Sequence, residues 1–166
     1  MNEASADDAI ARLFQEHARS LVRLARLFAD DHNAAEDLVQ EAFLRLRRSF
    51  HRIENPARMV AYLRSIVLNL ARDHNRRGLM SLRHRMPEEE SRLSAEDRIV
   101  VREDQQQVID ALQALPLRQR DCLVLRYYMD LSILDIATTL GISVNSVKTH
   151  LQRGMAVLEA RLEATP

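Results

Sequence analysis

Apolar residues recur every three or four positions along most of this chain, and no stretch alternates as a half-buried strand would. Ile10, Leu13, Phe14, His17, Leu21, Leu24 and Phe28 define one face of a first helix, expected from Asp8 to Ala29. Asn33 is placed to cap a second helix, with Glu36 at the reciprocal capping position. The apolar face of this helix is Leu38, Val39, Ala42, Phe43, Leu46 and Phe50, and its other face presents Asp37, Gln40, Glu41 and Arg45. Ser49–Asn55 reads as a loop. Asn55-Pro56 then opens a third helix, with Asn as cap and Pro at the first position, ending at Gly78. Met59, Val60, Leu63, Ile66, Val67 and Leu70 form its buried stripe. Tyr62, Arg64, Asn69, Arg72, Asp73, Arg76 and Arg77 face outward.

The rhythm breaks over residues 79–103, which hold Pro87, the run Glu88-Glu89-Glu90 and alternating charges. This segment is expected to be a mobile linker, with some helix near Ala95–Arg102. Helices resume at Asp104–Ala114 and, after Pro116, at Leu117–Tyr128.

The tightest pattern follows, in LSILDIATTLGISVNSVKTHLQRGMAVL over residues 131–158. Ser132 caps a helix, with Asp135 at the capping-box position and Ile133, Ile136, Ala137 and Leu140 at helical spacing. Gly141 supplies the left-handed residue that ends it, and Ile142 plugs the turn. Ser143 caps the next helix, whose apolar stripe is Val144, Val147, Leu151, Met155, Leu158 and Leu162. Its other face carries Asn145, Ser146, Lys148, Thr149, Gln152 and Arg153. Short polar and cationic side chains of this kind suit base edges and phosphates in a major groove. Cap, helix, glycine, apolar plug, cap, helix is the pattern of a helix-turn-helix. Arg118 and Arg120, at the start of the preceding helix, are candidate phosphate contacts.

Three glycines, four prolines, no tryptophan and many Ala, Leu and Arg favour an all-α protein. The expected architecture is two small helical domains, residues 1–78 and 104–166, joined by a flexible charged linker at 79–103. Acids and bases balance at 24 each, so net charge names no partner. Local charge does: Arg64–Arg85 holds six Arg against one acid, whereas 86–104 holds seven acids against three Arg. One cysteine, Cys122, excludes an internal disulfide and a cysteine zinc site. The six histidines lack ligand spacing, so neither a metal nor a cofactor is expected. No signal peptide and no apolar run of membrane-span length is visible, which points to the cytoplasm without membrane insertion.

Taken together, the chain resembles the extracytoplasmic-function group of bacterial RNA polymerase sigma factors over nearly its whole length. DLVQEAFLRL (37–46) is similar to the family's region 2.2, AYLRSIVLNLARDHNRR (61–77) to regions 2.3 and 2.4, and residues 111–162 to region 4. Region 3 has no counterpart. Tyr62 stands where many relatives carry Trp, and Leu68 where Arg is frequent. Gly154 replaces a usual Ala, which suggests close packing against the first helix of the motif.

The resemblance implies a non-enzymatic factor that binds core RNA polymerase and directs initiation at promoters. Asp37, Gln40, Glu41 and Arg45 would meet the polymerase β′ clamp, and region 4 the β flap. Tyr62, Arg64, Asn69, Arg72, Arg76 and Arg77 would serve the minus-10 element. The loop Ser49–Arg58 would help receive a base flipped from the non-template strand. Arg118, Arg120, Ser143, Asn145, Ser146, Lys148, Thr149, Gln152 and Arg153 would serve the minus-35 duplex. An anti-sigma factor is an expected further partner. VKTH (147–150) is also similar to the output domain of LuxR-type regulators. That alternative needs a sensor or receiver domain with strands, and the N-terminal half patterns as helices only. A helical protein that sequesters polymerase without reading DNA is a further alternative, which the basic Arg64–Arg85 stretch disfavours.

Overall fold

The computed structural model describes residues 3–27, 29, 32–78, 103–104, 106–108 and 110–164, with side chains from Ala4 and, in the third helix, as far as His74. Among these residues every regular element is helical, and the chain divides into two compact units. The expected linker, apart from the already helical Glu103, lies outside the described residues, as does Phe28.

The N-terminal unit is built from α1 (Glu3–Arg26), α2 (His32–Ser49) and α3 (Pro56–Gly78), each packed against the other two. α1 begins five residues earlier and ends three earlier than the pattern predicts. Its first turns are held to α2: Ala6 is buried, and Arg47 Nε lies 3.0 Å from Asp7 Oδ1. Such a contact between distant turns cannot be read from one helix's periodicity. The tight end of α1 is Leu21, Leu24 and Ala25, whereas Ile10, Leu13 and His17 are only partly covered and Phe14 is 47% exposed.

α2 starts at His32, so Asn33 lies inside the helix rather than capping it. Glu36 instead pairs with His32 across one turn, Nε2 to Oε1, at 2.8 Å. Between α2 and α3 the expected loop contains a 3-10 turn, Phe50–Arg52, closed by Ile53 N–H donating to the Phe50 carbonyl at 3.2 Å. Phe50 is fully buried there with Leu21, Leu24, Val39, Leu46, Leu63, Val67 and Leu68. Asn55 caps α3 as expected, its Oδ1 accepting from Ala57 N–H at 3.0 Å. The buried face of α3 is rotated slightly from the expected one: Ala61, Leu68 and Ala71 are inside, Val60 and Leu70 at the margin. Leu68 therefore occupies a core position, where an arginine would bury a charge.

In the C-terminal unit, helical residues at 103–104, 106–108 and 110–113 precede α4 (Leu117–Leu123), which Pro116 opens. The next five residues, Val124–Tyr128, widen into a π turn rather than continuing the expected plain helix. Met129 N–H donates to Val124 O at 3.1 Å and Leu131 N–H to Leu125 O at 3.0 Å. Asp130 takes a left-handed φ of 54°, a conformation that aspartate tolerates better than most residues. Arg126 Nη1 holds the Leu131 carbonyl at 2.8 Å, fixing the approach to α5 (Ile133–Leu140).

Ser132 Oγ caps α5 by accepting from Asp135 N–H at 3.0 Å. Gly141, at φ 66°, ends it, and the N–H groups of Gly141 and Ile142 both donate to the Ala137 carbonyl. Ser143 caps α6 (Val144–Glu163), accepting from Ser146 N–H at 3.1 Å while its hydroxyl donates to Ser146 Oγ. Only Val147 and Gly154 of α6 are fully buried; Leu151, Met155, Leu158 and Leu162 are partly open.

Gly154 packs on α4, not on the first helix of the motif: a Cβ there would sit 3.2 Å from Gln119 Cβ and 3.2 Å from Leu123 Cδ1. Gly154→Leu is expected to destabilise the C-terminal unit by about 1–3 kcal/mol through overpacking. Gly154→Ala should change little, because about 1 kcal/mol of regained helix propensity offsets the tight contact. Thermal melts of the two variants check this, and a Leu variant that melts like the parent contradicts the contact.

Cys122 is fully buried, and burial pushes its thiol up to about 11, with Asp121 adding to the rise and Arg118 opposing it. Thiolate is the reactive form. Alkylation of Cys122 near neutral pH should therefore be slow and rise only as the unit unfolds in urea. Fast labelling of the native protein would contradict that burial.

Candidate functional site

Three outward faces carry the candidate side chains. The first lies on α6. At about 100° per residue, Asn145, Lys148, Thr149, Gln152 and Arg153 fall on the side opposite Val147 and Gly154. Asn145, Lys148, Gln152 and Arg153 are exposed and Thr149 is partly covered. Ser143 and Ser146 are engaged with one another at the helix start, so their role is to build the end of the helix. The first turn of α6 directs unpaired backbone N–H groups and the positive end of the helix dipole toward solvent, favourable for a phosphate. Arg118 is exposed and Arg120 partly buried. Two positions apart, they point about 200° from each other and do not share a face.

The second face lies on α3. Tyr62, Asn69 and Arg72 follow one another at helical spacing, and Arg72 Nη1 donates to Asn69 Oδ1 at 3.3 Å. With its carbonyl engaged, the Asn69 amide keeps two N–H donors for a partner. Tyr62 is 37% exposed, and its hydroxyl donates to Ser49 Oγ at 3.4 Å. That bond ties the ring to the end of α2, next to the 3-10 turn. Arg64 is partly buried about 140° around the helix from Asn69 and belongs to a different side. The side chains of Arg76 and Arg77 lie outside the described residues.

The third face lies on α2. Asp37, Gln40 and Glu41 share a stripe at i, i+3 and i+4. Arg45 Nε lies 2.9 Å from Glu41 Oε1, so these two charges already pair within the helix. The same stripe continues to Leu44, which is 50% exposed. The apolar pattern counts Phe14 among the covered residues of the first helix and leaves Leu44 out of both faces of the second, so neither exposure is read from it. A helical wheel centred on Asp37 finds Leu44, because it lies seven residues on. Among the described residues no group of three His, Cys, Asp or Glu could hold a metal, and no helix is long and apolar enough to cross a membrane.

Comparison with known proteins places two families on this chain: Sigma-70 region 2 over residues 13–78 and Sigma-70, region 4 over residues 105–158. The ECF RNA polymerase sigma factor SigM of Mycobacterium tuberculosis is 34% identical, covering 93% of this chain and 76% of that protein. The RNA polymerase sigma-E factor of Streptomyces avermitilis is 30% identical, covering 91% of this chain and 86% of that protein. Against RfaY of Xanthomonas campestris, also 30% identical, the chain spans only 42% of the relative's length. Among solved structures, CnrH in complex with the cytosolic domain of CnrY superposes with a TM-score of 0.69 at 26% identity, over 99% of this chain and 96% of that one.

The region 2 match fills the half where a LuxR-type regulator would need a sensor, and removes that alternative. The chain belongs to the sigma-70 family, as a sigma factor of the extracytoplasmic-function group that directs core RNA polymerase to promoters.

Proposed function

We propose that the three outward faces divide the work of promoter-directed initiation. The observation that carries this reading is the pairing, on one chain, of a doubly capped helix-turn-helix with the Tyr62–Asn69–Arg72 face of a separate helical unit. α6 lies in the major groove of the minus-35 duplex. Asn145, Lys148, Thr149, Gln152 and Arg153 meet base edges and phosphates, while Ser143 and Ser146 fix the helix start against the backbone. Arg118 reaches a phosphate from α4, whereas Arg120, turned to the other side of the helix, is the weaker candidate of the two.

On α3, Tyr62 offers a ring for stacking and Asn69 offers amide donors to an unpaired base. Extracting a base costs a few kcal/mol, and stacking on an aromatic ring returns about 1–3 kcal/mol. Arg72, Arg76 and Arg77 neutralise neighbouring phosphates, with Arg64 in reach of the backbone from the other side. These contacts add affinity without reading sequence. Asp37, Gln40, Glu41 and Arg45 dock on the β′ clamp, and the C-terminal unit meets the β flap.

The chain itself makes and breaks no covalent bond; the polymerase does the chemistry. Its place of work is the cytoplasm, beside core enzyme and promoter. A protein inhibitor covering the chain is the expected regulator. In support, the RpoE of Bartonella quintana, whose fold is similar, is seen with the anti-sigma factor NepR.

Lys148→Ala and Arg153→Ala are expected to keep the parent melting temperature and to weaken minus-35 duplex binding by about 1–3 kcal/mol where the contact is to a base edge. Where it is to a phosphate, the loss is uniform across sequences and the salt slope falls by about one. Fluorescence anisotropy over a salt series reads both, and unchanged binding by both variants rules out this orientation of α6.

Asn69→Ala is expected to impair open-complex formation more than closed-complex binding. Permanganate footprinting of the holoenzyme on a linear promoter measures it. A wild-type footprint removes Asn69 from promoter opening.

A further inference from the structure

α1 packs on α2 and α3 with one side only, that of Leu21, Leu24 and Ala25. Its opposite side carries four arginines. At about 100° per residue, Arg12, Arg19, Arg23 and Arg26 fall within about 60° of one another, turned away from Leu21 and Leu24. All four are exposed. They extend over about 21 Å of the helix. The acids beside them are Asp8 and Glu16, and Glu16 Oε2 lies 3.7 Å from His17 Nε2. Asp7 is turned to α2, where it pairs with Arg47. From His17 to Arg26 the helix holds three arginines and no acid.

Helix stability does not account for this row. Cations near a helix C-terminus complement its dipole, but the effect falls off within the last turn. It covers Arg23 and Arg26 only. Arg19 lies about one turn, and Arg12 about three turns, before Arg23.

We propose that Arg12, Arg19, Arg23 and Arg26 bind the phosphate backbone of promoter duplex DNA irrespective of its sequence, in addition to the contacts of α3 and α6. Charge complementarity selects this occupant. The planar guanidinium fork matches two phosphate oxygens at once. Each strand of a duplex offers a phosphate about every 3.4 Å along its axis, so a row of this length meets several without reading a base. The inference rests on the chain's action at promoters and on none of the residue contacts assigned above to α3 and α6.

The test uses holoenzyme assembled from the full chain and purified core polymerase. Binding to a promoter duplex and to a non-promoter duplex is read by fluorescence anisotropy over a salt series. The double variant Arg12→Gln, Arg19→Gln is expected to lose about three- to tenfold in affinity for both duplexes, and its salt slope to fall by about one to two. The double variant Arg12→Lys, Arg19→Lys keeps the parent slope. Affinity for core polymerase, measured by competition against a fluorescent parent, stays unchanged. Glutamine has nearly the helix propensity of arginine, and melting temperature is measured on each variant. If the glutamine double variant melts early, Arg19→Gln alone decides, with an expected fall of about one in slope.

An unchanged salt slope overturns the inference. If affinity for core polymerase falls while the assembled holoenzyme keeps its slope, the row meets an acidic face of the polymerase and the inference is wrong. A loss confined to the promoter duplex overturns it too, because phosphate contacts carry no sequence information.

Discussion

Both units obey one constraint: each has so few helices that any helix can be covered on one side only. A stripe of apolar side chains goes inward, and every other residue of that helix is left to solvent or to a partner. The buried residues therefore decide where the functional ones point. On α3, burial of Leu63, Val67 and Leu68 leaves Tyr62, Asn69 and Arg72 on the opposite side. On α6, burial of Val147 and Gly154 does the same for Lys148 and Gln152. A core mutation that rotated either helix by one position would turn its polar face by about 100° and misdirect every contact at once.

Close approach sharpens this constraint in the C-terminal unit. Gly154 lets α6 approach α4 until the next atom of a side chain would touch Gln119 and Leu123. The start of α6 is fixed independently by Ser143, and the end of α5 by Gly141. A helix held at its first turn and again near its middle has little freedom to roll. Preorganisation of this kind lowers the entropy cost of fitting a groove.

Much of this was legible in the sequence because it is local. Ser132, Gly141, Ser143 and Asn55 act within a turn of their own position, and all four perform the capping role their residue types suggest. What escaped depends on distant neighbours. Asn33 looks like a cap, yet the helix begins one residue before it, and Glu36 finds His32. The apolar stripe of α6 predicts burial as far as Leu162, but only Val147 and Gly154 are fully buried. Gly154 signals a close contact without saying with what, and the partner is α4. The π turn after Leu123 has no simple residue signature. Among the candidate site residues, the outward side of α6 and the Asp37–Glu41 stripe follow from spacing alone. That Arg64 stands apart from Asn69 also follows, once positions are counted around the helix. The openness of Phe14 and Leu44 does not follow, because periodicity says which residues can be buried together and not whether a neighbour arrives to bury them.

The ion pair between Glu41 and Arg45 gives the α2 face a particular kinetic character. Arg45 Nε engages only one oxygen of Glu41, and both side chains are about half exposed. A partner cation on the proposed docking face would therefore add to this pair through the other oxygen or compete with it, whereas Asp37 would offer its charge without such a competitor within the helix. A pair of this sort tempers how strongly Glu41 attracts a distant cation while holding its side chain in one orientation.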